Sequence, residues 1–346
     1  MARNTLIVWW LRIVAAFVVA TLVVGGATRL TDSGLSITEW QPIMGVIPPL
    51  THAAWERALE LYRQIPEYQL VNRGMSMAEF QSIFWWEWAH RLIARSIGLV
   101  FAVPMVIFWI AGRLPGWFKP WAVVLLLLGG LQGAVGWWMV TSGLAERVDV
   151  SQYRLAVHMT LACVILSLAV WLSVRLSGRA GTVETTPAVR RGARLLPFLI
   201  LFQIALGALV AGLDAGLASD TWPLMLGKLV PDGLLTHAPG WINLFENPLT
   251  VQFDHRIVAY LITLFVVWHA FAARGGAVAG RALALVALVL VQVAIGIGVV
   301  MHHVPLPLAA SHQLAAAVIL WASVVHATRV APAGAVLAQG VPQPAR

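Results

Sequence analysis

The chain of 346 residues is 60% hydrophobic and only 11% charged, where ordinary soluble domains are about a quarter charged; this excludes a soluble fold and predicts an all-α polytopic membrane protein. A net charge of +8 would suggest nucleic acid in a soluble chain, but here it follows from arginines and lysines beside membrane spans, so no nucleic-acid partner is expected. The single cysteine, Cys163, excludes an intramolecular disulfide and a cysteine metal cluster.

A helix needs about 20 apolar residues to cross the hydrocarbon core. Eight segments qualify, at 8–27, 85–111, 119–141, 153–176, 194–213, 254–273, 281–301 and 309–330. The first is too long for a signal-peptide core and lacks a small-residue cleavage site, so it reads as a span. The loop after it, 28–84, contains LTHAAWERALELYRQI, whose apolar Leu50, Trp55, Leu59 and Tyr62 recur at helical spacing. That pattern predicts a helix lying on the outer surface or capping the bundle. Ser76 followed by Glu79 reads as a capping box and starts the second helix before the membrane. Residues 178–193 are polar and carry Gly and Pro, as a flexible inner linker would. A second long outer loop covers 214–253, and 332–346 form an inner tail.

Orientation follows from charge. With the N-terminus inside, the inner segments hold Arg3, Arg12, Arg113, Lys119, Arg175, Arg179, Arg274, Arg281, Arg329, Arg346 and the cluster Arg190, Arg191 and Arg194, with Glu184 as their one acid. The opposite orientation would place that cluster outside. Both termini are therefore expected in the cytoplasm.

The chain repeats itself. VGGATRLTDSGLSITEWQP (24–42) aligns without gaps with LGALVAGLDAGLASDTWPL (206–224), and EWAHR (87–91) with QFDHR (252–256). LQGAVGWWMV (131–140) aligns with VQVAIGIGVV (291–300), pairing Gln132 with Gln292 and Gly136 with Gly296. RLAVHMTLA (154–162) aligns with LAASHQLAA (308–316). Four matches in one order predict two pseudo-symmetric four-helix bundles, 1–177 and 194–331, related by a parallel repeat.

The duplicated positions include His90, His158, His255 and His312, on the second, fourth, sixth and eighth spans. All four helices enter from the outer side, with the histidines a turn or two below it. Two imidazoles facing each other in each half are a ligand set for heme iron, which has two axial positions. Interfacial hydrogen bonding and a zinc or copper site are the competing readings; two histidines per half without cysteine fit a planar macrocycle better than tetrahedral zinc. His269 and His326 lie at inner helix ends without repeat partners, His52 and His237 in loops, and His302 and His303 at an outer helix end. Arg91 and Arg256 follow two of the four histidines and suit heme propionates, or else snorkel to lipid phosphate or water. Glu87 shares a helix face with His90, whereas the matching residue before His255 is Gln252. A buried carboxylate beside one site only, its proton affinity raised, points to acid–base or charge-stabilising chemistry in the first half and a redox cofactor in the second.

From Trp9 to Arg329 the sequence resembles the heme A synthase family, through GGATRLTDSGLSITEWQPIMGVIPP after the first span, WEWAHR at the second, LQGAVGWWMV in the third, and the histidines at 158, 255 and 312. The resemblance implies oxidation of the C8 methyl of heme O to the formyl of heme A for cytochrome oxidase. It implies His90 and His158 as ligands of the substrate heme O, His255 and His312 as ligands of a heme B cofactor, and Glu87 as the catalytic carboxylate. Some members carry a cysteine pair in the first outer loop; its absence here and the insertion at 50–75 resemble the alphaproteobacterial and mitochondrial branch, and imply a bacterial inner membrane. Heme O synthase, the protoheme farnesyltransferase, is an implied partner, as is an electron acceptor that the sequence does not identify. Two rivals stand beside this reading. A quinone-linked di-heme b-type electron-transfer protein shares the four histidines but gives Glu87 no duty. A transporter predicts broken helices with intramembrane charges, and the spans show few.

Overall fold

The computed structural model describes residues 4–41, 44–145 and 147–332. The expected inner tail, apart from Pro332, lies outside the described residues. Eight helices are long and apolar enough to cross a membrane: α1 (Thr5–Leu30), α4 (Met77–Ile110), α5 (Lys119–Thr141), α6 (Gln152–Leu176), α7 (Pro187–Gly212), α9 (Pro248–Ala272), α10 (Ala279–Met301) and α11 (Leu306–Arg329). Short helices α2 (His52–Arg63), α3 (Pro66–Leu70) and α8 (Asn243–Glu246) lie in the two long loops. The protein is a multi-pass all-α membrane protein. Large side chains such as Leu99, Ile110, Phe198 and Leu264 stand exposed on the outer helix faces, where lipid rather than water surrounds them.

The helix ends show why the spans run past their apolar cores. Ser76 and Glu79 form the expected capping box, which starts α4 at Met77. Thr186 caps the amide of Val189 with Pro187 in the first turn, so α7 begins inside the segment expected to be a loose linker. The rest of that segment is also tied down. Strand β1 (Val183–Glu184) pairs in parallel with β2 (Val330–Ala331), just past α11.

Each helix of the first four spans touches its neighbours in a closed ring, α1–α4–α5–α6, and the last four do the same, α7–α9–α10–α11. The rings meet where α1 and α6 pack on α7 and α11. One continuous core crosses this seam, with Leu11, Leu166, Leu196 and Leu320 all fully enclosed.

The duplication extends to backbone geometry. Asp32 and Asp214, 182 residues apart, both take the left-handed conformation, with φ of 47° and 49°, which aspartate tolerates better than most residues. Arg29 at the end of α1 bonds Asp214 at 2.7 Å, so the loop of one half is pinned to the helix of the other.

The 50–62 segment does cap the bundle. Thr51 caps α2, whose Leu59 and Tyr62 are buried against Phe80 and Phe84 of α4. Leu50, expected on that apolar face, lies before the cap and is 77% exposed.

Candidate functional site

Both loops that follow the first helix of a ring are held down by the same device. Arg91 donates to the carbonyls of Ile37 (2.7 Å) and Glu39 (3.3 Å). Arg256 donates to those of Ser219 (3.1 Å) and Thr221 (2.8 Å), the matching residues of the repeat. The donors expected to face propionates thus serve first to fasten loop to helix, because these carbonyls have no ladder partner of their own.

Glu87 and Gln252 complete the clamp with opposite chemistry. Gln252 donates to the carbonyls of Gly216 (3.1 Å) and Ser219 (3.0 Å). Glu87, 2% exposed, accepts from the amide of Ile37 at 2.6 Å and the hydroxyl of Ser36 at 2.7 Å. Its other oxygen accepts from Arg91 Nη2 at 2.7 Å and Nε at 3.1 Å. The solitary buried acid expected from sequence is therefore a paired carboxylate with every oxygen engaged. The signal was in plain view: Glu followed four residues later by Arg is the spacing of a helical ion pair.

Each of the four histidines lies against a glycine of the neighbouring helix in its ring. A Cβ at Gly25 would fall 2.8 Å from His90 Nε2, and one at Gly136 2.9 Å from His158 Cε1. In the second ring a Cβ at Gly207 would fall 3.1 Å from His255 Cε1, and one at Gly296 2.8 Å from His312 Cε1. The sequence repeat aligned these glycines without revealing their task, which is to make room for an imidazole.

Three of the histidines are also gripped by glutamines. Gln132, Gln203 and Gln292 donate to the backbone carbonyls of His158, His255 and His312 at 3.0, 2.9 and 3.0 Å. The amides of Gln132 and Gln203 lie 3.2 and 3.1 Å from Nδ1 of the ring they hold. Position 21, which matches Gln203, is a threonine whose hydroxyl turns back to Phe17 O. Among the described residues His90 makes no side-chain hydrogen bond.

The remaining histidines fall elsewhere. His269 and His326 meet at 2.8 Å between their Nε2 atoms, both fully buried, at the arginine-rich end. His302 and His303 are exposed in the turn after α10. His52 pairs with Glu56, and His237 with Asn243. Among the described residues no group of three or more His, Cys, Asp or Glu side chains could hold a metal ion.

Two observations fit a flat iron macrocycle. All four histidines are partly exposed within spanning helices, whereas His269 and His326 are fully buried. Each ring also rests in a cradle that a single Cβ would fill. His312 keeps a buried Nδ1 without a hydrogen-bond partner.

Fold and site together define a polytopic helical membrane protein built of two four-helix rings, each presenting a pair of glycine-cradled histidines. The model of a cytochrome oxidase assembly protein family, COX15-CtaA, matches residues 8–324. A protein of Chelativorans sp. (strain BNC1) named Heme A synthase is 54% identical over 92% of this chain and 89% of its own. Proteins of the same name from Sinorhizobium medicae (strain WSM419) and Brucella ovis (strain ATCC 25840 / 63/290 / NCTC 10512) are 51% and 52% identical, over 92% and 93% of this chain and 88% and 90% of theirs. The chain belongs to the COX15-CtaA family.

Proposed function

We propose that this protein is a heme A synthase that oxidises the C8 methyl of heme O to a formyl group. The observation that carries the reading is an unequal duplication: two histidine pairs in matching cradles, only one of them beside a carboxylate. The conversion of methyl to formyl takes up one water and releases four electrons and four protons, so it needs an electron acceptor as well as a substrate site.

In this proposal His90 and His158 hold heme O in the first ring, residues 1–177, and His255 and His312 hold heme B in the second, 194–331. The grip on the histidines supports this division. Both second-ring histidines are held by glutamines, as suits a resident cofactor. In the first ring His90 is free of such a grip, as suits a ligand that must release product. Heme B supplies one-electron redox chemistry; the protein supplies ligands, orientation and local charge. Propionate contacts from Arg91 and Arg256 belong to the same proposal, through N–H donors beyond those that hold the loops. So do a bacterial inner membrane location, cytoplasmic termini, and delivery of substrate by a heme O synthase.

The test is extraction and chromatography of the hemes held by purified protein after co-expression with a heme O source. Heme A in the extract is the expected result, and replacing His90 or His158 is expected to abolish it while heme B remains. An extract with heme B alone would make the protein a di-heme electron carrier instead.

A further inference from the structure

At the arginine-rich end, far from the four cradled histidines, α1, α6 and α11 enclose a cavity of about 310 Å³. Arg12, Ser173, Ser177, Arg179, Trp321 and Arg329 line it, and no acidic side chain does. Among the described residues none of these three arginines enters a salt bridge. Arg12 stacks over Trp9 at 5.1 Å, a contact that leaves its N–H edge unused. Arg329 Nε is buried without a hydrogen-bond partner, and so are Nε and Nη2 of Arg281, which lies within electrostatic reach of Arg329. Both serine hydroxyls donate back to their own helix, so the guanidinium groups are the charged donors among the lining residues.

Like charges converging on one apolar-walled space repel each other, and buried guanidinium donors without acceptors are costly. A phosphate oxygen group answers both problems, because guanidinium forks match it in shape and charge. The place selects the source. The cavity opens at the ends of spanning helices, at the level of lipid headgroups, and basic pockets between helices at that level suit anionic headgroups. Trp321 adds an amphipathic wall of the kind found at the membrane interface.

We propose that this cavity binds the phosphodiester headgroup of an anionic phospholipid. The occupant bridges α1 and α6 of the first ring to α11 of the second, and so acts as a lipid clasp on the seam. The inference is independent of the heme chemistry.

The experiment uses the full-length protein, purified and delipidated in neutral detergent. Phosphatidylglycerol, phosphatidylcholine and inorganic phosphate are titrated separately and followed by native mass spectrometry at fixed salt. The expected result is one saturable phosphatidylglycerol, with phosphatidylcholine and inorganic phosphate failing to displace it at equal concentration. Arg179→Gln, exposed on a loop and neutral for folding, is expected to weaken binding about tenfold, as loss of a charge-assisted bond would. Arg12→Gln should act likewise. Arg191→Gln and Arg194→Gln, exposed at the same end but outside the cavity, should leave it unchanged. Retention of the lipid by Arg179→Gln and Arg12→Gln, or equal weakening by Arg191→Gln, would overturn the site. Displacement by inorganic phosphate would overturn its assignment to lipid.

Discussion

Glu87 and Gln252 occupy one position in two copies of a loop clamp, but Glu87 accepts from its loop where Gln252 donates. Glu87→Gln removes the charge at nearly constant shape, and its remaining carbonyl oxygen still accepts from Ile37 or Arg91, so the yield of folded protein is measured beside activity. We predict that the variant keeps its heme content, while heme A yield drops about a hundredfold, the cost of removing one preorganised charge stabiliser. Chromatography should then show heme O or a hydroxylated intermediate accumulating; an undiminished yield would take Glu87 out of the chemistry. Arg91→Gln is a different experiment. It strands a buried carboxylate, which costs about 3–5 kcal/mol, and is expected to lower the amount of folded protein recovered.

The glycine cradles make a second prediction at this scale. Gly136→Ala would drive a methyl to 2.9 Å from the ring of His158, a misfit worth about 1–3 kcal/mol. Heme held by the first ring, read as heme O and heme A in the extract, should fall by tenfold or more although every histidine is present, while the heme B of the second ring remains. Gly133→Ala lies one turn earlier on α5 and has nothing within 4 Å, so its heme content should match the parent. Equal heme in both variants would show that the cradle has no such role.

Among the elements, the cap over the first ring is where pH should be felt. Glu67, on α3, is buried with Oε2 unpartnered. Burial first, and the charge of Asp32 second, push its carboxyl up to about 8 from 4.5. Burial also raises the phenol of its neighbour Tyr62 above the ordinary range. The folded cap therefore keeps a proton that the unfolded chain releases between those two values, so its stability declines as pH climbs through that window. Glu67→Gln mimics the protonated form. Its melting temperature should exceed the parent's at pH 9 and match it at pH 4, and a pH-independent difference would refute the assignment.

On the scale of the molecule, the seam between the rings depends on one close fit. Gln313, next to His312, donates to Leu22 O at 2.7 Å across the seam, and a Cβ at Gly26 would land 1.6 Å from its Oε1. Gly26→Ala should expel that amide and cost about 1–3 kcal/mol of buried hydrogen bonding. A double-mutant cycle with Gln313→Ala, read by thermal unfolding in detergent, should find the two losses strongly non-additive; simple additivity would mean that the pair does not communicate.

Sequence alone determined the membrane class, the eight spans, the repeat and the identity of the four duplicated histidines. These are properties of composition and register, which survive projection onto one dimension. The capping box at Ser76 and Glu79 was legible for the same reason, since its partners are three residues apart. The purpose of Gly25, Gly136, Gly207 and Gly296 was not, because a glycine shows its function only when another helix brings a ring against it. Nor was the grip of Gln203 on His255, the anchoring of 183–184 beside 330–331, or the arginine-lined cavity between α1, α6 and α11. Each joins residues far apart in the chain, and only packing decides which distant side chains become neighbours.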